Sequence, residues 1–197
     1  MFLSLPASVA LFIGSEEIIS ALFGYGSFKE VAVSNSAKAL YYFGLGLPAF
    51  ALIKVFSTFF FANNDTKTPF YISLVSVILN ICISLYYFKS VGFVIIPIAT
   101  TISSWFNSLV LFIYLKYRDL FMFNEKFFLK FFKIVLASIM MGLFFNYVIL
   151  IFENKLAYSY DFKSFYLILS VLLGLIFYLL VSFFIKAFNY KDLQLKY

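Results

Sequence analysis

The sequence predicts an all-α polytopic membrane protein with about six transmembrane helices. Of its 197 residues, 64% are hydrophobic and only 12% are charged, whereas an ordinary soluble domain is about half apolar and about a quarter charged. A single soluble core cannot hide this much apolar surface, so we assign the chain to the lipid bilayer. The apolar runs are also continuous, and they are longer than the alternating strands of about ten residues that build an outer-membrane barrel.

Six apolar stretches approach or exceed the length of about 20 residues that a membrane helix needs. They cover residues 2–23, 37–61, 69–88, 92–115, 128–152 and 162–186. Pro6, Pro48 and Pro97 interrupt three of them, and each proline is expected to free a carbonyl and to kink its helix. Glu16 and Glu17 are expected at the membrane interface.

The loops divide the chain and predict its orientation. Residues 1–115 hold four spans, residues 116–127 form a basic loop, and residues 128–197 hold two further spans and a short tail. The chain ends and the loops 62–68 and 116–127, counted with the adjoining helix ends, carry nine basic residues, and the opposite side carries five. Because the side richer in Lys and Arg usually stays inside the cell, both termini are predicted to be cytoplasmic.

The composition argues against most chemistry that depends on a reactive site. The chain has no His and one Cys, Cys82, which excludes His-based zinc sites, His-based catalytic triads and a disulfide within the chain. No glycine-rich phosphate or dinucleotide loop occurs. We therefore predict no catalytic residue, no cofactor and no metal. The net charge of +6 resides in short loops between the spans, so membrane orientation explains it better than a nucleic-acid partner does.

A polar segment, "FFANNDTKTPF", residues 60–70, lies between the second and third spans. Asn63 and Asn64 suit a tight turn. Asp65 precedes the positive end of the next helix, which favours an anion. Thr68 is expected to cap that helix, and Pro69 suits its first turn, where no amide hydrogen is needed.

Three polar side chains inside the spans are candidate contacts for a substrate or a cavity: Lys54, Asn80 and Asn107. A charged side chain at the centre of a membrane helix costs roughly 2.5–3.5 kcal/mol on insertion scales. Lys54 is therefore interpreted either as a contact for an anionic lipid headgroup or as a side chain that reaches the interface. The two asparagines either line a polar path or form hydrogen bonds between helices.

The loop resembles the signature aromatic-Ala-x-x-Asp-Thr-Lys-Thr-Pro of the MurJ/MviN lipid II flippases, with Asp65, Thr66, Lys67, Thr68 and Pro69 at the motif positions. The resemblance covers about residues 3–115. Upstream, "LPASVALFIGSEEIISALFGYGSF" and "ALYYFGLGLPAFALIKVFSTFFFA" are similar to two spans of that family, including an intramembrane Lys. Downstream, an Asn in one span, a Gly-containing hinge, an Ala-Thr pair and a second Asn follow the family pattern.

The resemblance implies a fourteen-helix transporter of the multidrug/oligosaccharidyl-lipid/polysaccharide (MOP) superfamily, of which this chain matches the last six spans. It implies a lipid-linked peptidoglycan precursor, lipid II, as the molecule that is moved across the bacterial inner membrane by alternating access. No bond is made or broken in that process, so the protein is not expected to be an enzyme. Membrane lipids and the missing N-terminal lobe are the implied partners.

The chain opens inside an apolar segment, so we expect a fragment, a split gene or a truncated sequence. Two alternatives to the flippase hypothesis stay open at this point. One is another MOP-type exporter, which would carry O-antigen lipids or drugs. The other is a non-transporting remnant or membrane scaffold.

Overall fold

A computed structural model describes residues 1–119 and 125–187, without the side chains of residues 125–127. Within those ranges the chain is helical and forms no strand. The helices are α1 Ser4–Ile13, α2 Ser15–Phe23, α3 Glu30–Ala62, α4 Lys67–Val91, α5 Ile95–Tyr117, α6 Glu125–Ile151, α7 Glu153–Leu156 and α8 Lys163–Phe184, with a 3-10 turn at Gly92–Val94 between α4 and α5. Part of the predicted basic loop, the side chain of Lys126, and Lys191 and Lys196 lie outside the described residues.

Four stretches of the described chain are long and apolar enough to cross a membrane: Glu30–Ala62, Lys67–Tyr117, Phe128–Ile151 and Lys163–Phe184. The α1–α2 pair would make a fifth as one broken span. The stretch Lys67–Tyr117 contains both α4 and α5, which the sequence predicts as two spans. The predicted all-α, multi-pass fold class is thereby confirmed, and the count of six spans stays a prediction.

The first predicted span is not one continuous helix. α1 and α2 meet at an angle of 80°, and the break falls at Gly14, whose backbone N–H bonds to the carbonyl of Ala10 at 2.9 Å. A Cβ atom at Gly14 would lie 2.9 Å from the Phe145 ring. The bend therefore occurs at a residue whose missing side chain permits close contact with α6. The second predicted span, residues 37–61, lies within α3, which begins earlier, at Glu30.

The prediction that three prolines interrupt spans is wrong for two of them. Pro6 and Pro97 are each the third residue of their helix, α1 and α5. The first turn of a helix has no intrahelical partner for its amide hydrogens, so a proline there removes no bond. Of these three prolines, only Pro48 lies in the interior of its helix, α3.

Residue contacts divide the chain into two compact units, and each has its own core. The first unit, residues 1–37 and 123–197, packs α1, α2, α6, α7 and α8 around buried residues that include Met141, Phe145 and Tyr178. The second unit, residues 38–122, packs α4 and α5 with the greater part of α3 around Phe60, Ile72, Leu111 and Leu115. The assignment of residues 1–115, 116–127 and 128–197 to parts of a flippase stays a prediction.

Candidate functional site

The polar loop between α3 and α4, which we call the Asp65 loop (residues 63–68), begins with a regular helix ending. Asn64 has φ of 56°, in the left-handed region that glycine and asparagine adopt most readily. The Asn64 N–H bonds to the Phe61 carbonyl and the Asp65 N–H bonds to the Phe60 carbonyl, both at 3.0 Å. This pair of bonds is a Schellman motif, so Asn64 closes α3 by satisfying its last carbonyls.

Asp65 is the side chain that caps α4. Its carboxylate accepts hydrogen bonds from the Thr68 backbone N–H at 3.0 Å and from the Thr68 hydroxyl at 2.7 Å. The prediction that Thr68 itself caps the helix is therefore wrong, because Thr68 donates to the cap instead of accepting. Thr66 is the residue before α4, and its side chain makes no capping hydrogen bond. Pro69 lies in the first turn of α4, as the sequence predicts.

Asp65 also connects this loop to the end of α5. The Arg118 guanidinium donates a hydrogen bond of 2.5 Å to the Asp65 carboxylate oxygen that also accepts from the Thr68 hydroxyl. Arg118 and Asp65 therefore form an ion pair. The hydrogen bonds from Thr68, and then the Arg118 guanidinium, hold the pKa of the Asp65 carboxyl below its usual value. The Asp65 carboxylate thus links the first turn of α4 to the residue that follows α5. Asp65 itself comes just after the end of α3.

The interface between α4 and α5 contains a row of polar side chains, which we call the polar seam: Ser73, Asn80, Thr100, Ser103 and Asn107. The Asn80 amide donates to the hydroxyls of Thr100 at 3.0 Å and Ser103 at 3.3 Å. The Asn107 amide donates to the Ser73 hydroxyl at 3.3 Å. Asn107 is buried, and its carbonyl oxygen has no hydrogen-bond partner within the described part of the chain.

α5 also donates to the backbone of α3 near its proline. The Thr101 hydroxyl bonds to the Tyr42 carbonyl at 2.7 Å, and the Trp105 indole N–H bonds to the Leu45 carbonyl at 3.1 Å. Pro48 lacks the amide hydrogen that would normally bind the carbonyl four residues earlier. Side-chain donors from a neighbouring helix are a known way to stabilise such a disturbed backbone in a membrane.

The structure brings together two of the three predicted intramembrane contacts. Asn80 and Asn107 both belong to the polar seam, and hydrogen bonding between helices accounts for their amide N–H groups. Lys54 lies instead on the exposed surface of α3. A contact of any of these three residues with a substrate remains a prediction.

A second polar cluster surrounds Lys163 at the start of α8. The sequence alone indicates only that Lys163 adds a positive charge to one side of the membrane. The side chain is only 1% exposed. Its ammonium donates to the carbonyls of Gly24 at 2.6 Å and Tyr158 at 2.7 Å. It also lies 4.4 Å from the centre of the Tyr25 ring and 4.5 Å from that of Tyr158, distances typical of cation–π contacts.

The next residue extends this cluster, which we call the Lys163 clamp. The Ser164 hydroxyl donates to the Ala21 carbonyl at 2.6 Å, and Tyr25 and Ser164 share a hydroxyl–hydroxyl bond of 2.7 Å. These contacts join the start of α8 to the end of α2. The sequence does not reveal the clamp, because Tyr25 lies 138 residues from Lys163 along the chain.

Both the sequence and the fold of this chain match known proteins. Residues 1–170 match the family model described as "Lipid II flippase MurJ". The chain belongs to the MurJ family. The match covers all the helices of the second unit, including the Asp65 loop and the polar seam.

Curated MurJ relatives agree with this assignment. The chain is 41% identical over 118 residues to a probable lipid II flippase MurJ of Rhizobium meliloti, which covers 60% of this chain and 22% of the relative. It is 39% identical over 114 residues to the corresponding protein of Rickettsia prowazekii. A relative from Buchnera aphidicola subsp. Schizaphis graminum is 27% identical over 98% of this chain, which corresponds to 38% of the relative.

A solved MurJ structure has the same fold over nearly the whole chain. This structure, described as lipid II flippase MurJ in an inward closed conformation, aligns with 98% of the chain at a TM-score of 0.73 and 27% identity. The aligned region is 37% of that protein. The chain thus spans between about a fifth and two fifths of the length of the MurJ proteins it matches.

Proposed function

We propose that this chain is the C-terminal part of a lipid II flippase and takes part in moving the undecaprenyl-linked peptidoglycan precursor across the bacterial inner membrane. The observation that carries the proposal is the MurJ family match over residues 1–170. The relatives' names specify lipid II as the molecule moved. Transport of this kind changes no covalent bond, so the proposed role is that of a transporter and not of an enzyme.

The proposed mechanism is alternating access, in which two lobes of the transporter rock about a central site. The Asp65 loop is the proposed hinge of this chain. It connects α3 to α4, and Asp65 contacts Thr68 on α4 and Arg118 after α5. If these contacts form in one conformation and break in the other, they contribute to the free-energy difference that sets the two populations.

The proposed substrate contacts are Lys54, Asn80 and Asn107. An exposed ammonium on a membrane helix is suited to an anionic headgroup such as a pyrophosphate, since the two charges attract strongly in a medium of low polarity. The unpartnered carbonyl oxygen of buried Asn107 supplies an acceptor beside the polar seam. Neither feature forms a closed site by itself, and the family's first lobe is the proposed partner that completes it.

The direct test is a chimaera in which residues 1–197 replace the matching segment of the Rhizobium meliloti relative. The chimaera is expressed in a strain depleted of its own flippase, and lipid II on the outer leaflet is measured together with growth. We expect the chimaera to restore both and residues 1–197 alone to restore neither. A correctly inserted chimaera that exports O-antigen lipids but not lipid II would replace the proposal by the exporter alternative, and one that moves no lipid would favour the remnant alternative.

The proposed orientation places both termini and Lys67 in the cytoplasm. Single cysteines at positions 67 and 158, in a chain in which Cys82 is changed to Ala, are labelled from outside intact cells. We expect labelling at position 158 and none at 67. The opposite pattern would reverse the topology.

A further inference from the structure

The first unit contains an acidic pocket that the flippase mechanism does not use. The pocket has a volume of about 370 Å³, within the range of small-molecule sites. It lies where α2, the first turns of α3, the end of α6, and α7 meet, and its walls include Glu16, Glu17, Ser20, Glu30 and Glu153. Four carboxylates therefore line one cavity.

The carboxylates of this pocket have no ion-pair partner among the described residues 1–119 and 128–187. The two lysines of the adjacent α7 and α8 direct their charge elsewhere: Lys155 donates to the Tyr166 hydroxyl at 2.9 Å, and Lys163 is held in its clamp. Glu16 and Glu17 are adjacent in the chain and repel one another, and a bound cation would relieve that repulsion.

A buried hydroxyl belongs to the same pocket and points to a ligand independently of the charge. Ser20 is only 5% exposed, and its side-chain oxygen has no hydrogen-bond partner among the described residues. Nearly all buried polar groups in folded proteins do have a partner, so an orphaned one calls for a physical explanation. A ligand that donates a hydrogen bond inside the pocket would provide that partner.

The remaining walls are apolar, and Val33, Ile149 and Leu150 are among them. The described residues also contain no group of three or more Asp, Glu or Cys side chains placed to hold a metal ion. A bare metal ion would therefore not find a chelating set here. A larger cation with an apolar body would contact both the carboxylates and the apolar wall.

We propose that this pocket binds a small organic cation that carries a primary ammonium group. The ammonium donates one hydrogen bond to the buried Ser20 hydroxyl and another to a glutamate of the wall, and the hydrocarbon part of the ligand packs on the apolar wall. The same chemistry occurs in a free alkylamine and in the ethanolamine headgroup of a phospholipid.

The binding test uses hexylammonium as the probe on the purified full chain in detergent. Affinity is measured by calorimetry, and the unliganded melting temperature is recorded for each variant. We expect the triple variant Glu16→Gln, Glu17→Gln, Glu153→Gln to bind the probe about tenfold more weakly or worse, because charge-assisted hydrogen bonds are lost. The melting temperature of this variant without ligand shows whether it keeps its fold, because Glu16, Glu17 and Glu153 lie in the first turns of α2 and α7, where a negative charge also favours the helix.

Asp161→Asn is the matched control, because Asp161 is an exposed carboxylate near α8 that does not line the pocket. It should leave the affinity unchanged. An equal loss of affinity in both variants, or unchanged binding in the triple variant, would overturn the proposal.

The hydrogen-bond part of the proposal has its own probe. Hexyltrimethylammonium has the same charge but no N–H donor, so it should bind more weakly than hexylammonium to the unchanged chain. Ser20→Ala should narrow that difference in affinity, because one acceptor is lost. Equal affinity of the two probes for the unchanged chain would overturn the primary-ammonium assignment. In nanodiscs, competition by phosphatidylethanolamine but not by phosphatidylglycerol would identify the lipid headgroup as the ligand, and absence of competition would identify a free amine.

Discussion

The two units of this chain use polar side chains in different places. In the second unit, polar groups lie along the helix interface itself, where Asn80 and Asn107 of the polar seam join α4 to α5. In the first unit, the helices pack closely, as at Gly142, the Tyr178 hydroxyl inside α8 donates to the Phe2 carbonyl, and a buried charge is held at helix ends around Lys163. The seam joins two helices through side-chain amides and hydroxyls inside a candidate membrane stretch, whereas the clamp holds a charge where helices begin and end.

This difference bears on which unit is suited to change its conformation. Hydrogen bonds between small polar side chains in membranes are individually weak, with an average near 0.6 kcal/mol in measured cases. Such bonds can exchange partners at small cost. A buried ammonium held by two carbonyls and two aromatic rings has no comparable alternative. We therefore expect the second unit to carry conformational change and the Lys163 clamp to provide stability.

The largest effect is expected from Lys163→Met. The substitution keeps an unbranched side chain, one atom shorter, but leaves the carbonyls of Gly24 and Tyr158 without their buried donor, at a cost of about 1–3 kcal/mol for each group. Thermal unfolding of the purified chain should show a large loss of stability. Lys155→Met, an exposed lysine over the Tyr166 ring in the same region, should change stability little. Similar small losses in both variants would contradict the clamp.

Gly142→Leu tests the close packing of the same unit. A Cβ atom at Gly142 would lie 2.5 Å from Cγ1 of Val9 and 3.0 Å from Cδ1 of Ile13, so α1 must move away from α6. Overpacking of this kind costs about 1–3 kcal/mol. Gly174→Ala is the control, because its nearest contact would be 3.3 Å from the Phe145 ring. Equal melting temperatures for both variants would show that α1 packs more loosely than the structure indicates.

Asn107→Leu tests the polar seam. It removes the hydrogen bond to Ser73 together with a buried unpartnered carbonyl oxygen, so the two effects on stability oppose each other. We expect a change below about 1.7 kcal/mol. Asn146→Leu, at an exposed amide inside α6, gives the baseline for the same substitution. A loss as large as that of Lys163→Met would remove the contrast between the units.

The smallest effect is expected from the titration of Asp65. Its contacts with Thr68 and Arg118 lower the pKa of the folded state below the ordinary value of 3.8. The contribution of these contacts to stability is therefore complete above about pH 4 and is lost as the pH falls through the lowered pKa. In Asp65→Asn this part of the acid dependence should disappear, whereas Asp119→Asn, at an exposed carboxylate after α5, should retain it. Identical acid unfolding curves for all three chains would refute the assignment.

The sequence predicted those features that depend on local chemistry. The apolar runs predicted the helical membrane fold, and the Asp65 loop was recognisable because its polar residues are consecutive. Asn64 and Pro69 occupy positions that their backbone preferences favour. The sequence does not show that Asp65 rather than Thr68 caps α4, because both residue types cap helices and only the hydrogen bonds distinguish them.

Features that depend on distant residues were not predictable from the sequence. Gly14, at the break, lies close to the Phe145 ring, and Lys163 contacts a carbonyl of Gly24 and the ring of Tyr25. The pocket beside Ser20 combines three separate segments. No periodic pattern marks such residues, because their partners are fixed only by the packing of the helices.

The most direct test of the contrast compares Asp65→Asn with Lys163→Met in the Rhizobium meliloti chimaera. Two quantities are measured in the same cells: the amount of chimaera in the membrane, and lipid II on the outer leaflet per molecule of chimaera. We predict that Asp65→Asn lowers lipid II exposure per molecule at unchanged abundance, and that Lys163→Met lowers abundance at unchanged exposure per molecule. The reverse pattern, or normal transport by Asp65→Asn, would contradict a switching role for the Asp65 loop.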